Sequence, residues 1–307
     1  MFNKYIKDLP PNIKGGLWMV LAGLFFTFLG VMIRMANNEV HILEIVFFRY
    51  LFSLLIMVPW VLRLGVGGLK AKNIPLLFTR SISSYIAAIL WFASMIYLPL
   101  AEATALGYTT PLFVTLGAVL FLNEIVGKQR WFALGIGFIG ILVILRPGSA
   151  TFAMPALLAI GGAIFIACSA LLVKILNKTD TPDIIVLYMA IFSTPISLIA
   201  ALFVWRTPSY EALAWLFGIG LFSTFGHLAY TRSFAAANAS VVLPYDYMRL
   251  LMVAAVGYGF FKEIPDIWTW VGGCIIIIST FYISRRDVIK FGTTDQKNKL
   301  QSIKVST

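Results

Sequence analysis

Residues 97–124 read YLPLAEATALGYTTPLFVTLGAVLFLNE, a segment long enough to cross a bilayer as a helix. Gly107, Pro111 and Gly117 interrupt its middle, although a simple membrane anchor avoids such residues. A degraded copy, SFAAANASVVLPYDYMRLLMVAAVGYGFFKE, returns at residues 233–263. An internal repeat in an apolar chain is typical of a transporter.

The chain around this segment is far more apolar than a soluble globular protein. Of its 307 residues, 60% are hydrophobic and 12% are charged, and the mean hydropathy is +0.90. Apolar runs of about 20 residues, each able to cross a hydrocarbon core of roughly 30 Å, follow one another with short breaks. We therefore predict an all-α polytopic membrane protein with ten transmembrane helices, at residues 15–36, 41–62, 75–98, 100–122, 130–147, 153–177, 183–205, 209–235, 239–261 and 265–285.

The repeat divides these spans into two halves of five. Residues 101–104 align with residues 237–240 and Glu124 aligns with Glu263, with three more residues between these landmarks in the second copy. Because five is an odd number, the halves must insert in opposite orientations, as in transporters whose binding site lies between inverted repeats. The predicted units are a cytoplasmic N-terminal segment, two five-helix repeats and a disordered cytoplasmic tail, at residues 1–14, 15–147, 153–285 and 286–307.

The net charge of +11 indicates membrane topology. With the N-terminus inside, sixteen Lys and Arg residues fall in predicted inside segments and four in outside segments. This bias predicts that both termini are cytoplasmic, and it gives no reason to expect a nucleic-acid partner. We expect a multi-pass protein of a bacterial inner membrane, with membrane lipid around it.

Ionisable and aromatic residues inside the spans are the candidate site. A central Arg costs roughly 2.5–3.5 kcal/mol in a transmembrane helix, so Arg49 is expected to face the bundle interior. Asp246 and Arg249 are three residues apart and share a helix face, where a structural ion pair and a substrate or gating role both stay open. The predicted substrate-binding residues are Arg49, Tyr85, Trp91, Tyr108, Thr109, Pro111, His227, Tyr245, Asp246, Tyr247 and Arg249.

A second set of ionisable residues is expected to act in gating or coupling: Glu44, Arg80, Glu102 and Arg232. Glu44 lies near the outer end of its span, where it could reach water. Arg80 lies near a cytoplasmic end, so snorkelling to the interface explains it as well as a functional role does. Glu102 and Glu124 lie near opposite membrane faces and are expected to mark ends or gates.

The middle of the fourth span is expected to form one wall of a cavity. Gly107, Tyr108 and Pro111 lie near the bilayer midplane, given a rise of about 1.5 Å per residue. A proline there frees a backbone carbonyl and kinks the helix, which is tolerated where the freed group lines a cavity. Its partner is expected to be the cluster at residues 245–249, with Pro244 loosening the backbone before it. The fifth and tenth spans carry no interior charge and are expected to pack or dimerise without touching substrate.

Three motifs together resemble one family. They are EIVFFR at residues 44–49, AEATALGYTTPLF at 101–113 and PYDYMRL at 244–250, and they are similar to the EamA family of the drug/metabolite transporter superfamily over residues 15–285. The resemblance implies two inverted five-helix repeats and a central cavity lined by helices one to four and six to nine. The pattern of motifs is similar to that of bacterial members that take up S-adenosylmethionine or riboflavin, and to that of exporters of amino acids and other metabolites.

We therefore expect a secondary transporter that moves a small polar or zwitterionic metabolite by alternating access, with uptake favoured over export. A metabolite or drug exporter is the alternative within the family. An intramembrane enzyme is the alternative outside it, but the chain has no paired-histidine metal motif and no nucleophile elbow. We expect no cofactor, metal or catalytic residue. Proton coupling through His227, Glu102 or Asp246, plain facilitated exchange, and a homodimer all stay open.

Overall fold

The computed structural model of the chain describes residues 10–64, 70–122, 128–146, 154–237, 242 and 245–279, and regular structure in these ranges is entirely helical. The predictions for Glu124, Pro244 and the tail at 286–307 lie outside the described residues. The helices are α1 (Pro11–Asn37), α2 (Ile42–Leu64), α3 (Ile74–Tyr97), α4 (Leu100–Gly107), α5 (Thr110–Leu122), α6 (Lys128–Leu145), α7 (Met154–Leu176), α8 (Pro182–Leu202), α9 (Tyr210–Ala236), α10 (Met248–Phe261) and α11 (Ile267–Ser279).

Six of the described helices, α1, α2, α3, α7, α8 and α9, are long and apolar enough to cross a membrane. Shorter apolar helices occur in α6, α10 and α11. The chain is therefore an all-helical, multi-pass membrane protein. Helix α1 begins at Pro11, earlier than the predicted start at residue 15, because proline is well tolerated in the first turn of a helix.

The predicted fourth span is divided into α4 and α5 by a turn at Tyr108 and Thr109. Pro111 lies in the first turn of α5, where its missing N–H costs nothing, whereas in a continuous helix it would leave the carbonyl of Gly107 without a donor. The break therefore precedes the proline. The predicted ninth span is also interrupted, because Tyr247 lies in a turn directly before α10.

The helices of the two halves of the chain interleave in the bundle. Helix α1 packs most extensively on α9, and α3 packs most extensively on α7. Helix α2 packs on both α8 and α9, while α8 also packs on α3. Helices α4 and α5 lie against α7, and α10 lies against α1. The core is thus built between the halves, so a shift of one half against the other changes its centre.

Small residues of α1 let the segment at residues 245–249 approach closely. A Cβ atom on Gly16 would lie 2.7 Å from the ring of Tyr245, and a Cβ atom on Gly23 would lie 3.3 Å from the Cβ of Arg249. This packing holds the segment against α1. Helices α6 and α11 cross at Gly140 and Gly272, where each glycine faces the backbone of the other.

Outside the bundle, the loop between α1 and α2 is tied to the start of α9. The hydroxyl and the backbone N–H of Ser209 each donate a hydrogen bond of 2.7 Å to Glu39. These bonds lower the pKa of the Glu39 carboxyl. The Ser209 hydroxyl also accepts a bond of 3.2 Å from Ala212 N–H, and so caps the first turn of α9.

Candidate substrate cavity

A cavity of about 150 Å³ lies in the centre of the bundle. Its volume is roughly ten times the ~10–15 Å³ that one water needs. Its polar lining comes from both halves of the chain and comprises Arg49, Arg80, Ser84, Tyr108, Thr110, Ser169, His227, Tyr230, Asp246, Tyr247 and Arg249. Among the residues that the structure describes, none from α6, α8 or α11 is part of this lining. The resemblance implied a contribution from the seventh span, and α8 contributes none of these lining residues. That the fifth and tenth spans do not touch substrate stays a prediction.

Most of the predicted substrate-binding residues line this cavity, namely Arg49, Trp91, Tyr108, Pro111, His227, Asp246, Tyr247 and Arg249. Three others lie outside its lining. Tyr85 packs against the apolar core, Thr109 is fully buried in the turn between α4 and α5, and Tyr245 lies against Gly16 of α1. These three residues are close in sequence to cavity residues, but their side chains take other directions.

Arg80, expected to act in gating or to snorkel, lines the cavity and is only 1% exposed. Its side chain therefore does not reach the membrane interface, because helix α7 and α8 cover the face of α3 on which it lies. Its Nη1 donates a long bond of 3.4 Å to the carbonyl oxygen of Ile185 in α8. Its Nε has no partner among the described residues.

The other three predicted gating residues lie outside the cavity lining. Glu44, which by its position in the sequence could reach water, is fully buried, and it accepts a hydrogen bond of 2.8 Å from the backbone N–H of Arg206. Arg232 forms an ion pair of 2.8 Å with Asp183 at the start of α8. Glu102 is partly buried in the first turn of α4.

Arg49 and His227 form the centre of the cavity's polar network. The Nε of Arg49 donates a bond of 2.6 Å to the hydroxyl of Ser223, and its Nη2 lies 2.7 Å from His227 Nε2. A guanidinium can only donate, so His227 Nε2 accepts and the imidazole is neutral with its proton on Nδ1. The guanidinium also lies 4.5 Å above the ring of Tyr50. This geometry favours the neutral hydrogen-bonded role of His227 over a proton relay.

Asp246 and Arg249 form the predicted ion pair, with 2.9 Å between the carboxylate and Nη2. Both side chains are mostly buried and line the cavity. The Arg249 guanidinium lies 5.8 Å from the centre of the Tyr108 ring. The ion pair is therefore both a packing element and part of the cavity surface.

The two interrupted spans meet at their breaks. The rings of Tyr108 and Tyr247 contact edge to face, with 5.2 Å between centroids and an angle of 87°. The Tyr108 hydroxyl donates to the backbone carbonyl of Asp246 at 3.0 Å. A carbonyl released by an interrupted helix is thus satisfied by the side chain at the other interruption. This contact agrees with the expectation that the middle of the fourth span faces residues 245–249.

Several residues of the site were missed from the sequence. Ser223 lies four residues before His227 and therefore on the same face of α9, a spacing that would have identified it as a partner. Tyr230 follows three residues after His227 and lines the cavity for the same reason. Ser84 and Ser169 lie 3.2 Å apart across α3 and α7, and no local pattern announces that contact.

Gly107 is required for the position of Trp91. A Cβ atom on Gly107 would lie 2.2 Å from the Cη2 of the indole, so Gly107→Ala must displace a ring that lines the cavity. Overpacking of this kind typically lowers stability by ~1–3 kcal/mol, and the displaced ring is expected to lower the rate of transport. Initial-rate uptake by the reconstituted variant measures the effect.

Gly135→Ala is the matched control, because a Cβ atom there would have nothing within 4 Å. Its uptake is expected to equal that of the unmodified chain. Equal uptake by both alanine variants would contradict the role assigned to the contact between Gly107 and Trp91.

The chain is similar in sequence to known proteins over most of its length. A family model described as the EamA-like transporter family matches residues 13–146 and again residues 153–285. Similar proteins include a riboflavin transporter of Vibrio cholerae, 31% identical over 91% of this chain and 95% of the relative. An S-adenosylmethionine uptake transporter of Rickettsia prowazekii is 30% identical over 90% of this chain and 94% of the relative. A pseudopaline exporter of Pseudomonas aeruginosa is 28% identical over 89% of this chain and 96% of the relative.

A crystal structure of another protein has a similar fold, with a TM-score of 0.64 at 13% identity. The alignment covers 89% of this chain and 98% of the other. At this identity the likeness concerns the fold alone.

Proposed function

The chain belongs to the EamA-like transporter family, and we propose that it is a secondary transporter that carries a small polar or zwitterionic metabolite by alternating access. The observation that carries this proposal is the central cavity, whose arginines and aromatic rings come from both halves of the chain. The named relatives are transporters, so the intramembrane-enzyme alternative is set aside.

Ten transmembrane helices in two inverted repeats are part of this proposal. Exchanging the halves pairs α1 with α7, α2 with α8, α3 with α9, and α4 and α5 with α10. The packing of α1 on α9 then corresponds to that of α7 on α3, and the packing of α1 on α10 corresponds to that of α7 on α4 and α5. This correspondence and the two separate family matches support repeats at residues 15–147 and 153–285.

A cluster around Arg34 is proposed to close one end of the cavity. Arg34, in the last turn of α1, forms an ion pair with Glu263, which follows α10. It also donates to the backbone carbonyls of Met95, at 2.6 Å, and Leu98. Glu263 in turn accepts a bond of 3.0 Å from Leu100 N–H at the start of α4. Because Met95 lines the cavity, this cluster joins both halves at that end and must break for the end to open.

Arg34→Ala is expected to open this end more often. A partly buried ion pair is worth about 1 kcal/mol, which shifts a two-state equilibrium by about fivefold. A cysteine placed at Ala88, which lines the cavity, in a chain lacking Cys168 and Cys274, reports the opening. Its reaction with a membrane-impermeant maleimide, added at the face where α1 ends, should accelerate by about that factor.

Arg146→Ala is the control, because Arg146 also forms an ion pair, with Asp266, but lines no part of the cavity. Labelling that accelerates equally in the Arg146 and Arg34 variants would reject the Arg34 cluster as a gate.

The direction and coupling of transport are also part of this proposal. Uptake is favoured because the riboflavin and S-adenosylmethionine relatives are 31% and 30% identical, against 28% for the exporter; export is the alternative. Proton coupling is proposed through Asp246 or Glu102 rather than His227. We also propose that both termini are cytoplasmic, which the charge bias supports, and that the membrane is a bacterial inner membrane, which the bacterial relatives support. Exposed apolar residues of α6 and α11, such as Phe138 and Ile278, offer a face to lipid or to a second copy.

Uptake into reconstituted vesicles tests the proposed function. The purified chain would be given labelled amino acids, nucleoside-like metabolites and flavins, with and without a proton gradient. Accumulation of at least one solute above protein-free vesicles is expected. A gradient-dependent rate would support proton coupling, whereas no accumulation of any solute in either condition would overturn the transport proposal for these classes.

A further inference from the structure

We propose that Arg49 and Arg80 form a site for an oxyanion, and that the transported solute is a net-negative molecule with a planar ring. This inference rests on the proposed transport function and narrows its polar or zwitterionic solutes to those that carry a net negative charge. The oxyanion is a carboxylate or a phosphate, because both offer the planar pair of acceptors that a guanidinium binds. Zwitterions without net charge and cations are then the poorer substrates.

Arg49 has no carboxylate partner among the described residues. Its neighbours are the hydroxyl of Ser223, the neutral imidazole of His227, and the rings of Tyr50 and Phe92. It is 4% exposed, and its Nη1 has no hydrogen-bond partner in the described part of the chain. Arg49 thus lines the cavity while one nitrogen of its buried guanidinium has no partner among these residues.

Arg80 is likewise without a carboxylate partner in the described ranges. Its Nη1 donates to the carbonyl oxygen of Ile185, and the distance of 3.4 Å is too long for a strong hydrogen bond. Its Nε is buried and unpartnered there. Since Arg80 also lines the cavity, a second guanidinium with unused donors faces the same space.

The cavity consequently holds more positive than negative charge. Among the described residues, three arginines line it against one carboxylate, and that carboxylate, Asp246, is already paired with Arg249. His227 is neutral while it accepts a bond from Arg49. Buried charges in a membrane protein are normally paired, so an entering oxyanion supplies the partner that Arg49 and Arg80 lack. A cationic solute would instead be repelled by both.

Aromatic walls beside this charge favour a planar solute. Phe26, Trp91, Phe92, Tyr108 and Tyr230 all line the cavity. The ring of Trp91 is held against Gly107, and Tyr108 is held by its bond to the carbonyl of Asp246. Fixed rings of this kind can stack on a flat molecule without first being ordered.

Three solute pairs that share a ring and differ in charge test the inference: nicotinate and nicotinamide, riboflavin 5′-phosphate and riboflavin, and S-adenosylhomocysteine and S-adenosylmethionine. Binding to the purified full chain would be measured by the rise in thermal midpoint across a concentration series. In the first two pairs the anion should bind at least about tenfold more tightly, the difference expected for a charge-assisted hydrogen bond. The first pair isolates a carboxylate and the second a phosphate, and S-adenosylmethionine should be the weakest ligand of all.

Arg49→Gln and Arg80→Gln should each remove the preference for the anion, and Arg80→Lys should retain part of it. Arg206→Gln, in the exposed loop before α9, should leave it unchanged. Equal affinity within each pair, or tighter binding of S-adenosylmethionine, would overturn the oxyanion site while leaving transport itself intact. Absence of binding by all six would also overturn it, whereas the proposed function fails only if the wider vesicle screen finds no transported solute.

Discussion

Arg49→Ala is expected to lower the initial rate of uptake at least about 100-fold, because the cavity loses a guanidinium proposed to bind the solute and the two hydrogen bonds, each worth about 1.5–3 kcal/mol, that hold it in place. The variant removes the donors to Ser223 and His227 and one of the two cavity arginines that have no carboxylate partner among the described residues. The measurement is uptake, into vesicles or cells, of the solute that the vesicle screen identifies. Rates are divided by the amount of protein in the membrane, which should stay near that of the unmodified chain.

Arg49→Lys separates charge from geometry. A lysine keeps the positive charge but cannot bond Ser223 and His227 in the fixed fork of a guanidinium, so partial activity is expected. Arg206→Ala controls for loss of an arginine outside the cavity. Full uptake by Arg49→Ala at normal membrane levels would remove Arg49 from the site.

The membrane class of this fold could be predicted from hydropathy alone, because each apolar run must satisfy its own backbone in lipid and is therefore helical. A kink in the fourth span was predicted from Pro111, whereas the structure divides that span into two helices. The position of the break, at Tyr108 and Thr109, was harder to predict, because it depends on where the last turn of the preceding helix ends. The resemblance to the EamA family was confirmed by the family model, which matches both halves of the chain.

The site could be predicted only in part, because sequence gives the type of a side chain but not always its direction. Arg49 and Asp246 line the cavity as the cost of burying charge suggested. Arg80 shows where that reasoning stops: its nearness to a span end suggested snorkelling, yet neighbouring helices enclose it. Tyr245 shows the converse, since it is two residues from Tyr247 but lies against Gly16 instead of lining the cavity.

The interleaved packing explains why local sequence missed these contacts. Ser223 reaches Arg49 from α9, and Ile185 reaches Arg80 from α8, across separations of 174 and 105 residues. Whether a guanidinium is paired therefore depends on the docking of one half on the other. The same dependence links the charge of the cavity to the alternating movement that is proposed, because sliding the halves changes the partners of both arginines.

Asp246→Asn and Arg249→Gln are each expected to abolish measurable uptake and to lower thermal stability. Removing one member of a buried ion pair leaves the other uncompensated, at a cost of about 3–5 kcal/mol. The pair is mostly buried and separated by 2.9 Å, so these single variants cannot distinguish a structural role from a functional one. The double variant can.

In Asp246→Asn/Arg249→Gln no uncompensated charge remains, so the thermal midpoint should return most of the way to that of the unmodified chain. If the ion pair only holds α10 in place, uptake should recover with stability. We expect uptake to stay absent, because these side chains line the cavity beside Tyr108 and an entering solute must contact them. Recovery of both quantities together would assign the pair to structure and leave Arg49 and Arg80 as the charged groups that select the solute.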